Sequence, residues 1–211
     1  MRNLRAGVIG LGVGQSHLET YRAHPHCEVV SVCDHSQEKL QAIRQALPGV
    51  RCTVDADALL CDPAVDIVSI ASYDQDHFAQ VCRAIAHGKH VFVEKPLSLA
   101  ADEVRQIARL MTDYPEVRLS SNLILRRCPR FLALKEMIAS GQMGELFYLE
   151  ADYTYGRLHK LTEGWRGQTD YYSVVLGGGI HMVDLLLWLN GCRVTEVVAM
   201  GTRIATRNTH G

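Results

Sequence analysis

A lysine stands at the end of an apolar run in the segment HVFVEKPLSL, residues 90–99. Val93 is followed by Glu94 and Lys95, and Pro96 then prevents a strand from continuing. In an open parallel sheet, ligands bind beyond the carboxyl ends of the strands, which is where this lysine would lie. It is a candidate proton donor or acceptor, because partial desolvation readily gives a neutral amine. A solvated pair of Glu94 and Lys95 is the alternative interpretation.

Three glycines form a second candidate site. Gly10, Gly12 and Gly14 follow the apolar run at residues 6–9 and precede a helical pattern. Such a turn lets backbone N–H groups approach a pyrophosphate, and the N-terminus of the helix adds the positive end of its dipole. The usual spacing is G-x-G-x-x-G, whereas the third glycine here comes one residue early and position 15 is Gln. A tight strand-to-helix turn without a ligand is therefore the alternative.

An acidic residue supports the nucleotide interpretation. Asp34 follows the apolar run at residues 29–33, about twenty residues beyond the glycines. A carboxylate in this place can accept hydrogen bonds from the ribose hydroxyls of an adenosine, and it would repel a 2′-phosphate. NAD is therefore the predicted cofactor and NADP is less favoured, since His35 and Ser36 follow instead of an arginine. A capping acid at a strand end is the alternative.

Aromatic and basic residues in the last third of the chain are candidates for substrate contacts. Trp165 and Arg166 offer an aromatic face and a guanidinium, which suit a sugar ring that bears a carboxylate or phosphate. Tyr153 and Tyr155 could donate to sugar hydroxyls and would share one face of a strand. Packing of a loop is the alternative for each of them. Two other tyrosines are candidates of the same kind, Tyr171 and Tyr172.

The first 120 residues alternate between short apolar runs and helical patterns, which predicts an α/β fold. The apolar runs are continuous, as expected for strands that are buried on both faces. We therefore expect a Rossmann domain over residues 1–121, with a doubly wound parallel sheet. The predicted strands cover residues 6–9, 29–33, 52–54, 66–71, 91–93 and 117–120, and the predicted helices cover residues 17–23, 37–46, 55–60, 76–87 and 101–111.

The pattern changes after residue 121, and residues 122–211 are expected to form a partial second domain of the α+β class. Its sheet is expected to be open, mostly antiparallel and incomplete, because the sequence stops soon after a strand begins. The predicted helices cover residues 130–140 and 177–191, the predicted strands cover residues 144–156 and 194–200, and a polar loop covers residues 157–172.

The bulk composition argues against several classes of protein. The chain has 211 residues, a net charge of −1 and no basic stripe, so nucleic acid is not an expected partner. Its seven cysteines form no Cys-x-x-Cys pair, which predicts reduced thiols in a cytoplasmic protein without a metal site. The N-terminus lacks the apolar region of a signal peptide, and no apolar stretch is long enough to span a membrane.

Together these motifs resemble the Gfo/Idh/MocA oxidoreductases, the family of glucose–fructose oxidoreductase and inositol dehydrogenase. The resemblance covers nearly the whole chain, and Glu-Lys-Pro after a strand in a Rossmann context is fairly specific. The segments that carry it are the glycine loop with His17, Asp34, SIASYDQDH at 69–77, EKPLSL at 94–99, residues 126–131 and GGGIHMVDLLLWLNG at 177–191.

The resemblance implies a hydride-transfer enzyme that acts on a sugar, an inositol or a nucleotide sugar. Lys95 matches the lysine of the family's Glu-Lys-Pro motif and His181 matches the histidine of its second domain, so both are expected to be catalytic. We expect His181 to act as the base, because an imidazole can take up a proton at neutral pH, and Lys95 to polarise the substrate oxygen. Asp184 is expected to contact the substrate or to orient its helix.

The resemblance also implies where the cofactor and a partner chain would bind. The loop after the third predicted strand, Ser72 to His77, is expected to lie along the nicotinamide half of the cofactor. Ser72, His77, Glu94 and Lys95 are therefore predicted cofactor contacts. The bond before Pro96 is often cis in relatives, and the second domain often forms a homo-oligomer through its sheet.

Two departures from the family pattern leave alternatives open. Many members carry an aspartate four residues before the histidine, where this chain has Gly177. Members are also usually longer, so the chain is interpreted as truncated in its second domain, with an unpaired strand edge. A dinucleotide-binding protein without turnover is the first alternative. A redox-neutral sugar epimerase or lyase with tightly held NAD is the second.

Overall fold

The computed structural model describes residues 3–169, 172–202 and 204. The chain divides into two compact units, Met1–Asn122 and Leu123–Gly211. The first unit contains β1 (Leu4–Ile9), α1 (Gly14–Ala23), β2 (Cys27–Cys33), α2 (Gln37–Ala46), β3 (Arg51–Thr53), α3 (Ala56–Leu60), β4 (Ile67–Ile70), a 3-10 turn (Asp74–Asp76), α4 (His77–Ala86), β5 (His90–Val93), α5 (Ala101–Asp113) and β6 (Leu119–Ser121).

The six strands of the first unit form one sheet in the order β3-β2-β1-β4-β5-β6, and every neighbouring pair is parallel. The chain builds outward from β1 to β2 and β3, and then returns to the other side of β1 for β4, β5 and β6. The strand order therefore reverses between β1 and β4, where open α/β sheets form a crevice at the carboxyl ends of their strands. The predicted doubly wound parallel sheet is confirmed.

Two apolar clusters make up the core of this unit. The adjacent residues Val8 and Ile9 of β1 belong to different clusters, because successive side chains of a strand point to opposite faces of the sheet. Val8 shares its cluster with Leu18 of α1 and Leu40 of α2, whereas Ile9 shares its cluster with Val81 of α4. Complete burial of side chains like these stabilises the fold by about 1.5–3 kcal/mol each.

Helix boundaries follow from local chemistry. Helix α2 begins and ends at the residues that the sequence predicted, and the hydroxyl of Ser36 caps it by accepting a 3.3 Å hydrogen bond from the N–H of Lys39. Helix α1 begins at Gly14, before the predicted start at residue 17, because the glycine turn leads directly into it. The carboxyl ends of β1 and β2 are therefore each followed by a short turn and a helix.

The second unit is helical in its described residues. It contains a 3-10 turn (Ile124–Arg127), α6 (Pro129–Ala139), two single-turn helices, α7 (His159–Thr162) and α8 (Gly164–Gly167), a π-helical turn (Val175–Gly179) and α9 (Ile180–Asn190). The predicted helices at 130–140 and 177–191 are thus confirmed, while the predicted polar loop contains two helical turns.

The two strands predicted in the second unit are wrong. Residues 144–156 and 194–200 form no strand, and the described part of this unit contains no sheet, so the expected antiparallel sheet is not found there. The physical reason is that a strand gains its hydrogen bonds from a neighbouring strand, and these segments have none among the described residues. Their apolar side chains are left in solvent, with Phe147 98% and Met200 97% exposed.

No described helix is long and apolar enough to cross a membrane.

Candidate functional site

The loop between β1 and α1 uses its three glycines in different ways. Gly10 has a φ of 84°, and a Cβ atom there would overlap the carbonyl oxygen of Ala71, so only glycine fits. A Cβ atom on Gly14 would lie 3.1 Å from Val8, because α1 approaches the sheet closely at this point. A Cβ atom on Gly12 would have nothing within 4 Å, so the backbone of Gly12 faces open space that a ligand can approach.

The carboxylate of Asp34 reaches this loop from the end of β2. Its Oδ2 accepts a 2.6 Å hydrogen bond from the N–H of Leu11, and its Oδ1 accepts one of 2.8 Å from the N–H of Ser36. Burial alone would raise the pKa of Asp34, but the two backbone donors and Lys39, with its Nζ 3.5 Å from Oδ2, outweigh it and lower the pKa. Asp34 is therefore a carboxylate at neutral pH.

These residues fit a dinucleotide. The open backbone at Gly12 precedes α1, a helix of 10 residues whose N-terminus favours an anionic group. The carboxylate of Asp34 offers about four acceptor sites, more than its present donors use, so ribose hydroxyls could also bond to it. The N–H groups from Gly10 to Gly14 would hold the pyrophosphate and Asp34 the adenosine ribose. Lys39 was not predicted as a site residue, because only the fold brings it to Asp34.

The role predicted for His77 needs correction. Its side chain is 0% exposed, with Nδ1 2.7 Å from the carbonyl oxygen of Pro96 and Nε2 3.3 Å from that of Ser72. A wholly buried ring cannot touch a cofactor, so His77 instead supports the loops that follow β4 and β5. The hydroxyl of Ser72 donates to Gln80 at 2.7 Å, and a cofactor contact of Ser72 stays a prediction.

Glu94 is held among protein donors at the end of β5. Its Oε1 lies 2.6 Å from Nδ2 of Asn122 and 3.2 Å from Nε2 of His17, and its Oε2 accepts a 3.3 Å bond from the N–H of Lys95. Burial would raise the pKa of Glu94, but the bonds from His17 and Asn122 outweigh it and lower the pKa. The side chain is 13% exposed and positions its neighbours, and a cofactor contact of Glu94 stays a prediction.

Lys95 lies two residues beyond the end of β5 and is half-buried. Its peptide bond with Pro96 is cis, as the resemblance implied. Asn122, which follows β6, was not among the predicted site residues. The signal that could have found it is its place after the last apolar run, since the carboxyl ends of neighbouring parallel strands meet at one edge of the sheet.

In the second unit, an ion pair fixes the helix that carries His181. Arg126 donates to Asp184 through Nε at 2.9 Å and through Nη2 at 2.6 Å, in a bidentate arrangement. Both carboxylate oxygens bind the guanidinium, which fits the expected role of Asp184 in orienting α9, while its contact with substrate stays a prediction. His181 is half-buried in the first turn of that helix.

Two aromatic groups lie in the same unit. The rings of Trp165 and Tyr172 meet edge to face at 5.8 Å, and the guanidinium of Arg166 lies 4.4 Å from the Trp165 ring and 5.2 Å from the Tyr172 ring. Tyr153 and Tyr155 stack at 5.7 Å, but no strand carries them, so the prediction that they share one face of a strand is wrong. Tyr171 lies outside the described residues.

Two glycines just before α9 pack against tyrosine rings. A Cβ atom on Gly177 would overlap the hydroxyl of Tyr172, and one on Gly178 would lie 2.6 Å from a ring carbon of Tyr153. The space beside Gly177, where the resemblance leads one to expect a carboxylate, is therefore filled by a phenol. Among the described residues, no group of three or more His, Cys, Asp or Glu could hold a metal ion.

Replacing Gly177 with alanine should lower the free energy of unfolding by about 1–3 kcal/mol, because the Tyr172 ring must move. In a Tyr172→Ala background the same change should cost much less, and urea unfolding of the two single variants and the double variant measures the coupling. Gly156→Ala is the control, since a Cβ atom there meets nothing within 4 Å. An equal cost in both backgrounds would contradict the contact.

Comparisons with known proteins agree with this geometry. Residues 4–121 match the oxidoreductase family with an NAD-binding Rossmann fold, and residues 131–210 match the GFO/IDH/MocA C-terminal domain. The inositol 2-dehydrogenase of Burkholderia multivorans is 31% identical over 191 residues, which cover 89% of this chain and 55% of that protein.

Two solved structures have the same fold. The myo-inositol 2-dehydrogenase of Lactobacillus plantarum has a TM-score of 0.80 at 23% identity. The match covers 90% of this chain and 57% of the Lactobacillus plantarum chain. The scyllo-inositol dehydrogenase of Lactobacillus casei with bound NAD(H) and scyllo-inositol has a TM-score of 0.78 at 20% identity, with coverage of 90% and 57%.

The chain spans about half the length of the curated relatives it matches. The first family match alone covers more than half of this chain, and it includes the glycine loop, Asp34 and Lys95. The chain therefore belongs to the GFO/IDH/MocA family of oxidoreductases, and its first unit is an NAD-binding Rossmann domain.

Proposed function

We propose that the protein transfers a hydride between NAD and a hydroxyl-bearing carbon of a sugar, an inositol or a nucleotide sugar. The observation that carries this proposal is the sheet order, in which β5 lies two strands from β1. Two strand spacings bring the end of β5, with Lys95, to roughly 10 Å from the glycine loop. That distance suits a cofactor whose pyrophosphate binds the loop and whose nicotinamide extends toward the lysine.

Lys95 and His181 carry the chemistry in this proposal. When an alcohol is oxidised, its carbon gives up a hydride and its oxygen loses a proton. The bound dinucleotide would supply the hydride acceptor. His181 takes the hydroxyl proton on its imidazole, and Lys95 donates a hydrogen bond to the oxygen as it becomes a carbonyl. Arg126 supports this role indirectly, because its ion pair with Asp184 fixes the helix of His181.

The substrate class rests on the aromatic and basic groups of the second unit. An indole face and a guanidinium at Trp165 and Arg166 suit a polyol ring, and the hydroxyl of Tyr155 can donate to it. Relatives named inositol 2-dehydrogenase point to the same class. A panel of inositols, sugars and nucleotide sugars, with the absorbance of NADH as the readout, tests the proposal. No NADH formation across the panel, with NADH still bound, would favour the alternative below.

A dinucleotide-binding protein without turnover is the second candidate, because Gly177 and the Tyr172 hydroxyl occupy the place where an acid was expected. Assembly into a homo-oligomer stays a prediction, which sedimentation of the purified chain tests.

NADH is expected to bind at least tenfold more tightly than NADPH, because the Asp34 carboxylate would repel a 2′-phosphate, and tenfold is about 1.4 kcal/mol. Fluorescence titration with both nucleotides measures the ratio. Asp34→Ala should reduce this preference for NADH over NADPH, mainly by weakening NADH binding. The matched variant Lys39→Ala removes the nearby cation and should increase the preference for NADH over NADPH. Tighter binding of NADPH than of NADH to the wild-type chain would show that the assignment of Asp34 is wrong.

A further inference from the structure

A chain of polar side chains crosses the first unit beneath the candidate site. Nδ1 of His17, on α1, lies 2.7 Å from the hydroxyl of Ser69 on β4, and Nε2 of the same ring lies 3.2 Å from Oε1 of Glu94. Asn122 donates to that carboxylate oxygen at 2.6 Å. Ser69 is 0% exposed, and the side chains of His17 and Glu94 are 11% and 13% exposed.

The donors along this chain can all point the same way. Ser69 can donate to Nδ1 of His17 in the tautomer whose Nε2–H donates to the Glu94 carboxylate. Both ring nitrogens of His17 and both carboxylate oxygens of Glu94 have partners, and the carboxylate accepts from His17 and Asn122. A satisfied network of this kind holds its members in one arrangement.

The order Ser69, His17, Glu94 is also that of a nucleophile, a base and an acid. An acyl-transfer role does not fit, because Ser69 lies inside β4 and is wholly buried, so no substrate can reach its hydroxyl. The network therefore has a structural role within the protein.

The polar network ends at the backbone N–H of Lys95. While Oε1 of Glu94 is held by two side chains, Oε2 accepts the N–H of Lys95 at 3.3 Å. We propose that His17 is a positioning residue that, through Glu94, fixes the main chain from which Lys95 projects. This inference rests on the proposed function for the role of Lys95 in catalysis. Because His17 lies on the helix that starts at Gly14, it also ties the glycine loop to the lysine.

Two substitutions of His17 separate its two hydrogen bonds. Glutamine can place an amide N–H near the position of Nε2 and so keep the bond to Glu94, whereas asparagine reaches only the position of Nδ1 and the bond to Ser69. We expect His17→Asn to lower turnover by roughly tenfold or more, since small misplacement of a reacting group has effects of this size. His17→Gln should retain most of the turnover, and both variants should bind NADH with near wild-type affinity.

A second readout needs neither cofactor nor substrate. Competitive reductive methylation, followed by mass spectrometry, compares the labelling of Lys95 with that of the exposed Lys160 in the same sample. Labelling of Lys95 should rise several-fold in His17→Asn and stay close to wild type in His17→Gln. If the wild-type chain turns over no substrate, the proposed function fails, while the labelling still decides whether His17 positions Lys95.

A further variant covers the case in which His17→Asn does not fold. Asn122→Ala removes the other donor to the same carboxylate oxygen and should also raise the labelling of Lys95. Unchanged labelling of Lys95 in the folded variants, or equal effects of asparagine and glutamine at position 17, would overturn the inference.

Discussion

Turnover is expected to fall by roughly a hundredfold or more when either Lys95 or His181 is replaced by alanine, the usual size of effect for a positioned acid or base. The loss should appear in kcat, because each group acts on a proton or a charge that moves only as the carbonyl forms. Binding of NADH should stay close to that of the wild-type chain, since the glycine loop and Asp34 remain. Steady-state kinetics with an active substrate, together with NADH titration, measures both quantities.

Matched controls exist for both changes. Lys160→Ala and His159→Ala remove an exposed lysine and an exposed histidine from the second unit, and neither should alter kcat. Normal turnover of both Lys95→Ala and His181→Ala would refute the assigned roles. A loss of NADH binding in either variant, in place of a loss of rate, would do so as well.

Gly10→Ala is expected to destabilise the first unit by about 2–4 kcal/mol. The residue has a φ of 84°, which strains any side chain, and its new Cβ atom would overlap the carbonyl oxygen of Ala71. The loop must therefore move away from the end of β4, and NADH binding should be lost with it. Urea unfolding and NADH titration of the same samples measure the two effects.

Gly12→Ala is the control for this change, and it should separate the two effects. A Cβ atom on Gly12 meets nothing within 4 Å, so the free energy of unfolding should stay near wild type. The methyl group would nevertheless stand in the open space assigned to the pyrophosphate, so NADH binding should weaken at least tenfold. Unchanged NADH binding in Gly12→Ala would show that the cofactor does not approach this part of the loop.

Much of the first unit could be predicted because its signals are local. Helix α2 was predicted to the residue, since its apolar spacing and the Ser36 cap lie within one short segment. The strands were found because parallel strands buried on both faces are continuous apolar runs. Gly10 and Asp34 were found for the same reason, as each follows such a run directly.

The remaining features depend on neighbours that the sequence does not place. His77 looked like a cofactor contact, but the fold buries it against the carbonyl of Pro96. The ion pair of Asp184 was not predicted, because Arg126 lies 58 residues away in the sequence. The alternation in residues 144–156 wrongly predicted a strand, because a strand requires a partner, which pattern alone cannot supply.

The contact between Gly177 and Tyr172 also constrains how this protein could have changed over time. Because the tyrosine hydroxyl occupies the space of a side chain at position 177, an acidic residue there would require the Tyr172 ring to move or position 172 to become smaller. The two positions are thus expected to covary among close homologues, with glycine beside tyrosine and larger residues beside small ones. A lineage that acquired the tyrosine would find the acid hard to regain by any single mutation.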